Sequence, residues 1–68
     1  MHMAFVVLSG TRIRIFREVE PSATQALRLV RDHMKMRRPN VRIEDERGNP
    51  VSFFQLKEMA ETEKASRT

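Results

Sequence analysis

The 68-residue chain is 40% hydrophobic, holds four Phe but no Trp, Tyr or Cys, and carries a net charge of +4. This length fits one domain, at a size where apolar burial barely offsets chain entropy. Without cysteines, disulfides and thiolate metal sites are excluded as staples, which leaves self-association or a partner.

No apolar run approaches the ~18 residues of a membrane span, and Phe5-Val6-Val7-Leu8 has neither the basic start nor the length of a secretory leader. A cysteine-free chain suits a reducing compartment, so the expected location is the cytoplasm.

Phe5-Val6-Val7-Leu8 reads as a strand covered on both faces, and Ser9-Gly10 as the turn after it. Thr11 to Arg17 alternates, with Ile13 and Ile15 on one face and Arg12, Arg14 and Phe16 on the other. The two strands form an antiparallel hairpin that ends at Pro21, which cannot donate to a ladder.

Ser22-Ala23-Thr24-Gln25 is a capping box, in which Ser accepts from the N–H three residues on and Gln reaches back. A helix is expected from about Ala23 to Arg37. Ala23, Ala26, Leu27, Val30 and Met34 lie on one stripe, widened by Leu29 and Met36. Arg28, Arg31, Lys35 and Arg38 lie largely off it. Pro39-Asn40 stops the helix.

Val41-Arg42-Ile43-Glu44 reads as the third strand, followed by a turn over 45–50. Ser52-Phe53-Phe54-Gln55 repeats the capping box, with Val51 and Leu56 spaced as a hydrophobic staple. The helix it starts carries Phe53, Leu56, Met59 and Ala60 on one side. Residues 61–68 have no apolar stripe and are expected to fray, which leaves a core of about 4–60. The alternative is a fourth strand over Val51-Ser52-Phe53-Phe54, hairpinned across Gly48-Asn49.

The resulting fold is α+β, in the element order ββαβα. Strand three returns parallel to strand two, and strand one is apolar on both faces. A three-stranded antiparallel sheet of order 2-1-3 follows, in a two-layer sandwich with both helices on one face.

Charge is uneven. Through Arg42 nine basic residues face three acidic ones, a net +6, and from Ile43 onward four face six, a net −2. On the predicted sheet, Arg12, Arg14, Phe16 and Arg42 share the face away from the helices. Guanidinium groups interleaved with an aromatic suit phosphates and bases. They also suit a solvated face on which Arg stems cover apolar neighbours. Arg28, Arg31, Lys35 and Arg38 form a second basic surface on the first helix.

The same sheet face exposes alternate apolar residues of strand one, and a second copy stacked there supplies the missing core. His33 is expected on the helix surface. Glu44-Asp45-Glu46 lacks the spacing of a calcium loop, and Gly10 and Gly48 are isolated turn glycines. Neither a catalytic constellation nor a cofactor or small-molecule site is expected.

The stretch from Thr24-Gln25-Ala26-Leu27 through Val41-Arg42-Ile43-Glu44-Asp45-Glu46-Arg47-Gly48-Asn49-Pro50-Val51 resembles small uncharacterised bacterial proteins with a ββαβ core. In those proteins an Ala-Leu helix precedes a strand ending in an acidic turn with Gly. The resemblance covers roughly half of the chain. It implies the fold and a bacterial source, and it transfers no active-site residue. The chain therefore reads as a non-enzymatic, self-associating interaction module, with nucleic-acid binding or regulation through the basic face as the alternative.

Overall fold

The computed structural model describes residues 4–65. Strands β1 (Phe5–Gly10) and β2 (Ile15–Glu20) form a hairpin, and helix α1 (Ala23–Lys35) leads to β3 (Arg42–Asp45). A two-residue strand β4 (Pro50–Val51) and helix α2 (Phe53–Ala65) follow. The sheet order is β2-β1-β3-β4, antiparallel throughout. The expected 2-1-3 order holds, but the sheet has four strands because Val51 pairs with Ile43 and Pro50 with Glu44.

Strand and helix share the segment that had two readings. Ser52 N–H donates to Gln55 Oε1 at 3.0 Å, and Gln55 N–H donates to Ser52 Oγ at 3.0 Å. This reciprocal box starts α2 immediately after β4, so Phe53 and Phe54 are helical.

Directly opposed residues of an antiparallel pair share a face. Phe5, Val7 and Ser9 point to the helices together with Ile43 and Val51. The core joins Phe5, Val7 and Ile43 to Ala23, Ala26, Leu27 and Val30 of α1 and to Leu56 and Ala60 of α2. Leu29, Val41, Val51 and Met59 pack around it. α1 lies over β1, and α2 packs chiefly against α1.

The hairpin departs from expectation. Ser9 and Gly10 belong to β1, and the turn is Thr11–Arg14, closed by Thr11 N–H to the Arg14 carbonyl at 2.9 Å. Gly10 is required because its φ is +115° and an added Cβ would stand 2.1 Å from that carbonyl oxygen. Ile13 is 97% exposed and Ile15 61%, so neither reaches the core. The four-residue turn sets Ile15 opposite Gly10, on the face away from the helices.

α1 also ends earlier than its apolar spacing predicts. Arg38 N–H donates to the His33 carbonyl and Arg37 N–H to that of Met34, a Schellman ending with Arg37 at the left-handed position, φ +57°. Gly usually sits there, and a side chain costs about 1–2 kcal/mol. Met34 and Met36 are exposed, and His33 takes the buried place on the stripe.

α2 continues to Ala65, so residues 61–65 do not fray, and residues 66–68 of the expected tail lie outside the described residues. Glu63 explains the order. Its carboxylate accepts from Ala23 N–H at 2.7 Å, Thr24 N–H at 2.9 Å and Thr24 Oγ at 2.7 Å. Gln25 N–H goes to Ser22 Oγ and Ala26 N–H to the Ser22 carbonyl, so the N–H groups of Ala23 through Ala26 are all satisfied. The first capping box is thus only half formed, since the Gln25 side chain accepts from Ser22 Oγ instead of reaching its N–H.

Candidate interaction surfaces

The uncovered face of the sheet is built by strand alternation. One row across it is Val19, Val6 and Glu44, and the next is Arg17, Leu8 and Arg42. Ile15 lies beyond Leu8 on the same face. Val6 and Leu8 are half-buried, while Val19 is 56% exposed. An apolar band therefore runs from Val6 and Val19 through Leu8 to Ile15, flanked by Arg17 and Arg42, with Glu44 one row away.

The predicted basic cluster is not gathered on this face. Arg42 is there, beside Leu8. Phe16 faces the other way, opposite the inward-pointing Ser9, because its parity matches Ser9 and not Leu8. Its half-buried ring lies under Arg38, whose Cζ stands 4.0 Å from the ring centroid, with Arg14 at 5.4 Å. Arg12 sits in the hairpin turn, where it lines a cleft of about 330 Å³ with Thr11, Ile15, Asn40 and Arg42.

The cleft forms where two connections meet. Gly10 N–H donates to the Pro39 carbonyl at 2.8 Å, and Asn40 Nδ2 donates to the Gly10 carbonyl at 3.1 Å. The hairpin turn and the segment after α1 are thereby held together. One end of the sandwich collects Arg12, Arg14, Arg37, Arg38 and Arg42, with no ion pair to any of them among the described residues.

Of the second predicted surface, Arg28, Arg31 and Lys35 line a groove between the helices. Lys57 and Lys64 face them from α2 across Asp32 and Glu61. Arg38 is separate: its guanidinium covers Phe16, and one of its nitrogens, Nη1, lies 3.2 Å from His33 Nε2.

His33 lies inside the fold, not on the helix surface. It is 1% exposed, with Nδ1 2.8 Å from Ser9 Oγ and Nε2 3.4 Å from Glu18 Oε1. An Arg38 donor needs Nε2 as an acceptor, which puts the proton on Nδ1, donated to Ser9 Oγ. A proton on Nε2 instead serves Glu18. Ser, His and carboxylate lie in line, yet Ser9 is 2% exposed and its oxygen does not meet solvent. The arrangement ties α1 to β1 and β2. A histidine at the 23-26-30-33 spacing and a serine on the parity of Phe5 and Val7 were its signals in the sequence.

The acidic turn is likewise structural. Asp45 Oδ1 accepts from Arg47 N–H and Asn49 N–H, both at 2.9 Å, closing the link between β3 and β4. Among the described residues no helix is long and apolar enough to cross a membrane. No family model, curated protein or solved structure matches the chain.

Proposed function

We propose that the protein is a small, non-enzymatic, cytoplasmic interaction module that pairs with a second copy through the open face of its sheet. The observation that carries this reading is the apolar band of Val6, Leu8, Val19 and Ile15 on a sheet that the described residues cover on one side only. Burying it completes a core that is thin for an independent domain.

Charge selects the geometry. A two-fold axis running across the strands, between the two rows, sets Glu44 of each copy against Arg42 of the other. An axis along the strands would set Arg17 against Arg42 instead, a like-charge contact. Face-to-face sheets packed with strands nearly aligned are a common arrangement.

Sedimentation across micromolar concentrations tests the proposal. The wild type runs as a dimer, and Val19→Arg, which the same axis sets against Arg17 of the other copy, runs as a folded monomer. Glu44→Arg weakens the dimer at least tenfold, and adding Arg42→Glu restores it. Phe53→Glu, which alters a different exposed apolar residue, leaves association unchanged. A fully folded wild-type monomer over the whole range would sink the reading.

A further inference from the structure

The strongest charged feature outside the proposed dimer face is the arginine end of the sandwich. We infer that Arg12, Arg14, Arg37 and Arg38 form a site for the phosphodiester backbone of a single-stranded nucleic acid. Arg42 borders this end but belongs to the sheet face, so the site is argued without it.

Two independent observations carry the inference. The first is placement. Arg14 and Arg38 bracket Phe16 on the helix side of the sheet end, while Arg12 lines the cleft that opens toward Ile15 and Arg42 on the opposite side. The guanidinium groups are thus distributed around the end and not across one flat surface. No described acidic side chain pairs with any of the four. A flexible strand can curve around such an end and meet all of them, whereas a stiff duplex touches only a few. Guanidinium groups suit phosphate because they present paired donors in one plane.

The second observation is backbone cost. Arg37 occupies the left-handed position that ends α1, where Gly fits without strain. Its long cationic side chain is exposed and has no ion pair among the described residues. A residue kept in a conformation it disfavours points to a role for its side chain.

This separates binding from stability in one substitution. Arg37→Gly should raise the urea midpoint, because the backbone is relieved, and should weaken binding of a generic single-stranded oligonucleotide by roughly threefold to tenfold. Arg12→Ala and Arg14→Ala should each weaken it by a similar factor.

Four phosphate contacts give a slope of log affinity against log salt of about −3 on a single strand, and Arg37→Gly should flatten it by about 0.7. Titrations use unmodified DNA and RNA strands, a duplex of the same length, and polyglutamate as a non-phosphate polyanion.

Three results would overturn the site. The first is no binding at low salt with tens of micromolar protein. The second is binding unaffected by Arg37→Gly but abolished by Arg28→Ala with Arg31→Ala, which moves it to the groove between the helices. The third is equal affinity for polyglutamate, which assigns the end to an acidic protein. The monomeric Val19→Arg variant should still bind, and adding Arg37→Gly to it should weaken binding by the same factor as in the wild type, so failure of the dimer and failure of this site are read separately.

Discussion

A single hydroxyl holds the polar part of the core together. Ser9 Oγ is the partner of His33 Nδ1 at 2.8 Å, and both residues are shut off from solvent. Ser9→Ala leaves a buried ring nitrogen without a partner, an arrangement that costs about 1–3 kcal/mol. Urea denaturation should show that loss, and a variant within a few tenths of wild type would mean that the hydroxyl is dispensable. The expectation of His33 on the helix surface rests on the usual solvation of polar helix residues. Its place is legible in the 23-26-30-33 spacing and in the strand parity that puts Ser9 beneath it.

Asp45 shows a different kind of residue-scale effect. The backbone N–H of Asn49 acts most strongly and, with the weaker bond from Arg47 N–H, holds its carboxyl below the usual carboxylate range, against a desolvation effect that ranks between the two. A folded-state value lowered in this way adds stability above the unfolded value, and that stability is lost as pH falls through the folded one. Titrating the urea midpoint from neutral pH down to about 2 should therefore show a decline that is shallower in Asp45→Asn. Equal declines in both proteins would remove the turn from the acid response.

At the scale of elements, the two helices hold one another through a carboxylate. Glu63 lies in the third turn of α2, yet it accepts from the first two N–H groups of α1. Negative charge at a helix start is favoured by the exposed N–H groups and the aligned peptide dipoles. Ala23 is 1% exposed, so its N–H has no water to fall back on. Glu63→Ala should cost about 2 kcal/mol, and Glu63→Gln less, because an amide oxygen can still accept. Amide exchange should accelerate most at Ala23 and Thr24. Unchanged exchange there would refute the cap.

The same element explains why sequence reading succeeded at one end of α2 and failed at the other. The Ser52–Gln55 box is a local signal, complete within four residues, and it marks the helix start. Residues 61–65 carry no apolar stripe, and their order depends on a contact with residues 39 and 40 positions away. The hairpin failed for a related reason. Alternation over Thr11 to Arg17 is real in the sequence, but a four-residue turn starts β2 only at Ile15. That shift left Ile13 in the turn and Phe16 on the helix side. Of the four residues grouped as one basic face, Arg42 alone lies among the paired residues of the open face.

For the whole molecule, the question is whether one layer of helices on one face of a sheet suffices at this size. Among the described residues the buried apolar set is nine, three of them Ala, and small domains of this kind usually draw on a further source of stability. If the second copy is that source, folding and association are linked, and stability must depend on protein concentration. For a dimer that unfolds to monomers, each tenfold rise in concentration adds about 1.4 kcal/mol to the unfolding free energy. The wild-type urea midpoint should rise accordingly between micromolar and hundreds of micromolar protein. Val19→Arg should give a lower midpoint that no longer depends on concentration. The substitution lies on an exposed position, so a change in the isolated fold would be small, and the lost dependence is the informative result. A wild-type midpoint that stays constant over the same range would mean that the apolar band is tolerated in water and that the domain stands on its own core.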